Sequence, residues 1–352
     1  MVAKLERGGA QLSLLRVARR LAARGVTTRL LAGWASPDGV ELARDYGFEP
    51  EVFGAAGNLQ WVPHAGFAAW LTPRLRDADA VHAHMFGGWW AAAQAVADGQ
   101  PLIASEHNAY HWPGPSHART LSDALGRVDR FFAHGPGARR TVLDCGLPAD
   151  RIREGISPVA GMDAVPRPCP PGHPVVFAGR LDPDKGPDVF LEAMALLRSN
   201  SSGLMLGSGR LDGELRAQRA RLDLEQRVEM PGWARDPAPW IAGAAVLVIP
   251  SRDESFSQTA VLGLGLGVPV IGTDVDGFPD TLGGGRGIMV APEDPAALAA
   301  AIDGVLAGRL SVDAEAARHF ARQFEPERVA DVYEETYRAL TGPSVRAAPV
   351  LV

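Results

Sequence analysis

Short apolar runs alternate with helical patterns twice along this chain, and a proline-rich stretch separates the two passages. In the first passage, GAQLSLLRVARRLAARG places Leu12, Leu15, Val17 and Leu21 close to one stripe with arginines opposite, and Gly25 is a helix stop. The runs VTTRLLAG, AVHAHM, PLIASEHN and RFFAHG read as strands. In the second passage VVFAGR, GLMLGSG, VEMPGW, AVLVIP and VPVIGT are strands, while GPDVFLEAMALL and DPAALAAAIDGVLAG are helices. Between the passages, PVAGMDAVPRPCPPGHP has too much proline and glycine for an element. Strands alternating with helices predict parallel sheets covered by helices. The expectation is α/β: two doubly wound Rossmann-like domains facing across a cleft. Ligands of such sheets bind at the carboxyl ends of the strands.

The boundaries predicted are 1–157 for the first domain, 158–174 for a linker and 175–325 for the second domain. A helix at 326–342 is expected to cross back to the first domain, leaving a loose tail at 343–352. The first strand, MVAKL, is short for a central strand, so either it is truncated here or the true start lies upstream.

A chain of 352 residues exceeds one ordinary domain. Its 46% hydrophobic and 22% charged residues are globular in type. The longest apolar run, AGAAVLVIP, is far short of a membrane span, and the start has no apolar signal region. A net charge of −6 disfavours a nucleic-acid partner. Two cysteines, Cys145 and Cys169, make no disulfide framework and read as reduced thiols of a cytoplasmic protein.

Three places suit an anion. GRLDPDKG follows a strand and sets Arg180 and Lys185 on one loop beside Gly179. A guanidinium fork and a mobile ammonium together suit a diphosphate leaving group, whose charge grows as its bond breaks; an ordinary solvated loop is the bland alternative. Gly8 and Gly9 lie between a strand and a helix N-terminus, where backbone N–H groups can approach phosphate; a tight turn would need them equally. After the strand ending at Pro250, SRDESFSQT leads into a helix beginning near Ser257. Amides around Ser255, Phe256, Ser257 and Gln258 can hold an anion, and Glu254 can accept hydrogen bonds from sugar hydroxyls or simply compensate the helix dipole.

Taken in order, ERGGAQ, GRLDPDKGPDVFLEAM, GSG, PGW, PSRDESF and GVPVIGTDVDGFPD resemble the retaining glycosyltransferases of family 4, over nearly the whole chain. The resemblance implies a GT-B fold and transfer of a sugar from a diphosphate-activated donor, a nucleotide-sugar, to a small-molecule or glycan acceptor. It implies retention of anomeric configuration, no cofactor and no obligate metal. Gly8 and Gly9 would border the donor phosphates. Arg180 and Lys185 would bind the diphosphate, and Glu254 would hold the donor sugar. His107, in ASEHN, matches the family's histidine near the reacting sugar; a histidine packed at a strand end is the bland alternative.

One position departs from the pattern. Where the family places a second glutamate for the donor ribose, this chain has Leu262. Leucine accepts no hydrogen bond, and losing a charged acceptor costs about 1.5–3 kcal/mol of donor binding. Gly263 and Gly265 in the same helix each cost roughly 1 kcal/mol against alanine. Either a nucleotide-sugar is held without the second carboxylate, or the donor is phosphoribosyl diphosphate, which has no nucleoside ribose to clamp. The latter would suit an aminocyclitol acceptor in an antibiotic-type natural-product pathway. An inactive family member serving as a binding subunit, and a sugar epimerase on the same fold, are the other classes to separate.

Other features carry less. Asp274 and Asp276 form a D-x-D that reads as chance. His82 and His84 share one strand face with no third metal ligand evident. Tyr110 and Trp112 belong to an aromatic loop assigned to acceptor contact, whereas Trp89 and Trp90 read as packing.

Overall fold

Inner strands such as VVFA, GLML and VLVI are apolar and buried throughout, as expected where helices cover both faces of a sheet. The computed structural model describes residues 1–107, 115–166, 174–342 and 350–351. It divides into two units: Met1–Pro158 with Pro326–Val352, and Val159–Glu325.

In the first unit the strands are β1 (Val2–Leu5), β2 (Thr28–Arg29), β3 (Leu31–Ala35), β4 (Glu51–Val52), β5 (Ala80–His84), β6 (Leu102–Glu106), β7 (Arg130–Ala133) and β8 (Ile152–Glu154). The order is β4-β3-β1-β5-β6-β7-β8, and all of these pairings are parallel. The segment Val350–Leu351 pairs with β2 and with the start of β5. Every residue of β5 and β6 is buried. The chain first moves outward from β1 to β3 and β4, then returns to β5 on the other side. The order therefore reverses between β1 and β5.

The helix Pro326–Thr341 belongs to this unit although it follows the second in sequence. Arg24 clamps it with ion pairs to Glu327, Asp331 and Glu334 at 2.8, 2.7 and 2.8 Å. Tyr333 and Tyr337 are buried beneath it; Tyr333 donates to the Ile156 carbonyl at 3.1 Å.

The second unit contains β9 (Val175–Ala178), β10 (Gly203–Leu206), β11 (Val228–Gly232), β12 (Val246–Ile249), β13 (Val270–Thr273) and β14 (Ile288–Val290). Their order is β11-β10-β9-β12-β13-β14, again all parallel. Here the order reverses between β9 and β12. The glycines that weaken the helix Gln258–Leu266 have a packing reason. A Cβ at Gly263 would come within 2.6 Å of Leu247 and 2.8 Å of Val270, on β12 and β13. One at Gly265 would meet Met162 at 2.6 Å. The helix is thin where it lies on the sheet and where the 161–162 turn lies on it. Among the described residues, no helix is long and apolar enough to cross a membrane.

Four histidines gather at the strand ends of the first unit: His82 and His84 on β5, His107 after β6 and His134 after β7. Burial pushes all four below the ordinary histidine range, His107 to about 3. In the unfolded chain each takes up a proton near pH 6.5. Below that pH the unfolded chain binds more protons than the folded one, so stability must fall as pH falls. Each neutral histidine contributes about 1.4 kcal/mol per pH unit in that range.

Two outcomes follow from this packing. Tyr333→Ala should cost about 3–5 kcal/mol, the scale of an aromatic core deletion, read as a lower urea midpoint. The wild-type midpoint should also drop steeply between pH 7 and 5, where most carboxylates stay ionised in both states. A midpoint flat across that window would mean that the histidines are charged in the folded protein.

Candidate active site

The loops at the two reversals carry the residues singled out in the sequence. In the second unit, β9 runs into Gly179 and Arg180, and β12 runs into the Pro250–Ser257 loop. Because β9 and β12 are neighbours, these loops emerge side by side. Gly186 lets them close up: its φ is +60°, and a Cβ there would lie 2.0 Å from the Pro250 carbonyl oxygen. The Asp184 carbonyl accepts from the backbone N–H of Arg252 at 2.8 Å, which joins the loops directly.

Lys185 and Glu254 meet across this junction. The Lys185 Nζ lies 3.0 Å from Glu254 Oε2 and 3.4 Å from Asp184, and it donates to the Asp253 carbonyl at 3.3 Å. Ser251 Oγ donates to the same Glu254 oxygen at 3.2 Å. Burial alone would lower the lysine's pKa; the carboxylates of Glu254 and Asp184 outweigh it and raise the net value. The ammonium is thus charged at neutral pH in a site that excludes much water.

Arg180 sits on the rim, 45% exposed, and pairs with Asp182 and with Asp184 at 2.8 Å. Asp182 also accepts from the backbone N–H of Arg210 at 3.1 Å, which ties in the loop after β10. The positive groups of this loop are therefore compensated by carboxylates of the same loop. An incoming anion competes with Asp182 and Asp184 for the guanidinium.

Sequence reading missed the brace behind the site. Arg252 grips Asp188 bidentately at 2.8 and 2.7 Å, reaches Glu293 at 3.0 Å and donates to the Pro183 carbonyl at 2.8 Å. Burial favours a neutral Asp188, but the guanidinium prevails and holds its carboxyl below the usual range. The signal was present in PSRDES, yet an arginine followed by two acidic residues looks solvated until β9 and β12 are known to be adjacent.

The remaining donor-side candidates are placed as follows. The Glu254 and Ser255 backbone abuts Gly277, whose N–H donates to the Glu254 carbonyl at 3.0 Å. Ser257 caps the following helix, accepting from the Ala260 N–H at 3.3 Å, and Gln258 is its first residue. Phe256 packs on Phe324 with ring centroids 5.0 Å apart. Leu262 is 6% exposed and lies under Gly161, turned into packing.

In the first unit, Gly8 precedes and Gly9 begins the helix Gly9–Ala23, which has no side-chain cap and no acid in its first turn. Gly8 is extended, so its backbone does not demand glycine. His107 stacks on His134, centroids 3.9 Å apart, and lies edge to edge with His84, centroids 5.4 Å apart. Its Nε2 is 3.1 Å from His84 Nδ1. His134, which sequence reading passed over, reaches Ser157 Oγ at 3.3 Å. Among the described residues no group of three His, Cys, Asp or Glu side chains could hold a metal ion. Trp89 is fully buried. Tyr110, Trp112 and Cys169 lie outside the described residues.

Comparison with known proteins agrees across both units. The Glycosyltransferase Family 4 description matches residues 7–154, and that of Glycosyl transferases group 1 matches residues 172–308. A D-inositol 3-phosphate glycosyltransferase of Streptomyces avermitilis is 31% identical, covering 78% of this chain and 69% of the relative. One from Jonesia denitrificans is 36% identical over 48% of this chain, which spans only 44% of that relative. The structure of the Anabaena protein HepE in complex with UDP-glucose superposes with a TM-score of 0.77 at 20% identity, over 96% of this chain and 99% of the other. With two parallel Rossmann-like units of the GT-B fold and matches to the family along both, the chain belongs to glycosyltransferase family 4.

Proposed function

We propose that this protein transfers a sugar, with retention and without a metal, from a nucleotide-diphosphate donor to a small polyol or cyclitol acceptor. The observation that carries the reading is the charged, largely buried Lys185 held against Glu254 where β9 and β12 diverge. A diphosphate departing there would find an ammonium already desolvated and fixed. Arg180 would exchange Asp182 and Asp184 for phosphate oxygens, matching the developing charge with a planar fork. These two cations supply the positive charge that a metal ion would otherwise bring. Glu254 is the acceptor for donor-sugar hydroxyls, and backbone groups of Ser255–Gln258 border the same anion. The N-terminal unit supplies the acceptor surface and His107.

The donor class draws support from the structural relative that holds UDP-glucose, and the acceptor class from relatives named for inositol phosphate. Retention is inferred from the family resemblance alone. A second reading keeps the diphosphate but drops the nucleoside: buried Leu262 offers nothing to a ribose, which favours phosphoribosyl diphosphate.

Arg180→Ala and Lys185→Ala should each lower turnover about a hundredfold or more, the scale for groups that stabilise a leaving charge. Near-normal rates in both variants would sink the assignment. Calorimetric titration with UDP, GDP and phosphoribosyl diphosphate separates the donors. Micromolar binding of one nucleotide supports the main reading, and binding of phosphoribosyl diphosphate alone supports the second. No binding of any of the three, together with no transfer or donor hydrolysis, would mark an inactive binding subunit.

A further inference from the structure

His107 does not stand alone, and its neighbours constrain which of its nitrogens can carry the proton. All the groups concerned lie in the first unit. His84 Nδ1 and His107 Nε2 are 3.1 Å apart, so one of the two carries a hydrogen and the other a lone pair. The second nitrogen of His84, Nε2, is buried and has no partner among the described residues. Were His84 protonated on Nε2, that N–H would be an orphaned buried donor, which is rare and costly. Placing the proton on Nδ1 leaves only a lone pair unsatisfied and lets His84 donate to His107. His107 then accepts at Nε2 and, as a neutral ring, carries its own proton on Nδ1.

The ring is also held in orientation. His134 stacks on its face at 3.9 Å with 29° between planes, and His84 lies edge to edge with it, nearly coplanar, with centroids 5.4 Å apart and 15° between planes. His134 has its place because residue 155 is glycine: a Cβ there would come within 2.4 Å of the His134 ring. Ser157 Oγ, 3.3 Å from His134 Nδ1, fixes that ring in turn.

We infer that His84 and His134 are positioning residues that hold His107 as a neutral Nδ1–H tautomer, a hydrogen-bond donor to a ligand oxygen and not a proton acceptor. The inference rests on the proposed reading in which His107 faces the substrate. In that setting the imidazole offers an N–H to a carbohydrate oxygen. It takes no proton from the attacking hydroxyl through Nδ1.

Nitrogen-15 NMR of the histidine-labelled protein at pH 7.5 decides the tautomer, with the His107 signals assigned by their loss in His107→Ala. A pyrrole-type Nδ1 and a pyridine-type Nε2 at His107 are expected; the reverse pattern overturns the inference. His84→Asn keeps an N–H close to where Nδ1 stands, and should retain both the tautomer and kcat. His84→Leu removes the donor. It should shift His107 toward the other tautomer and lower kcat about tenfold or more, the scale of one hydrogen bond, with KM for the donor little changed. A His84→Leu protein that keeps both the wild-type tautomer and the wild-type kcat also overturns it. The NMR pattern is readable in a protein with no transfer activity, so failure of the proposed function and failure of this inference remain distinguishable.

Discussion

Every ladder in both sheets is parallel, and the arrangement of the candidate site follows from that constraint. Parallel strands send all their exits to one edge, and each exit must return over a helix before the next strand begins. Where the strand order reverses, two neighbouring exits turn opposite ways and leave a crevice. In the second unit that happens between β9 and β12. Lys185 and Glu254, 69 residues apart in sequence, are brought to 3.0 Å by strand adjacency alone. In the first unit the same geometry lines up the exits of β5, β6 and β7 and so collects four histidines.

How much of this was legible depends on whether a signal is local. The alternation of apolar runs and helices is local, and so the two-sheet α/β fold was readable. GRLDPDKG and PSRDES are local too, and they flagged Arg180, Lys185 and Glu254 as candidates. What could not be read were relations that need the strand order. Arg252 resembles a solvated arginine until Asp188 and Glu293 are placed against it. His134 resembles an ordinary strand end until β6 and β7 are paired, when it becomes the nearest ring to His107. HAH was weighed only as a metal motif. Its actual partners, Tyr337 and Ser105 for His82 and His107 for His84, come from distant segments. The glycines of LGLGLG looked like a defect in a helix, and their reason lies in β12, β13 and the turn at Met162.

The electrostatics of the candidate site are a balance, not an open positive patch. Asp182 and Asp184 neutralise Arg180, while Glu254 and Asp184 neutralise Lys185. This suits a net charge of −6 and avoids leaving a buried cation unpaired, which would be strongly destabilising. For the proposed diphosphate donor, affinity would then be a difference between two sets of charged contacts. Arg180 is exposed and its carboxylate pairs are screened, so exchanging them for phosphate is inexpensive. Lys185 is less exposed than Arg180, so its pairing with Glu254 is screened less and is harder to exchange.

Leu262 fits this division of labour. A second carboxylate on the donor ribose would hold substrate and transition state equally, because the ribose does not change as the glycosidic bond breaks. Such uniform binding lowers KM and leaves kcat alone. On the proposed reading Arg180 and Lys185 face the diphosphate, whose charge does change, and their contribution would fall on the chemical step. On that reading a packed leucine in place of a ribose acceptor would lower donor affinity and leave the contacts to the leaving group in place. On this argument a site can lose one end of its donor clamp and still catalyse transfer, provided the working donor concentration is high or the donor has no nucleoside ribose to hold.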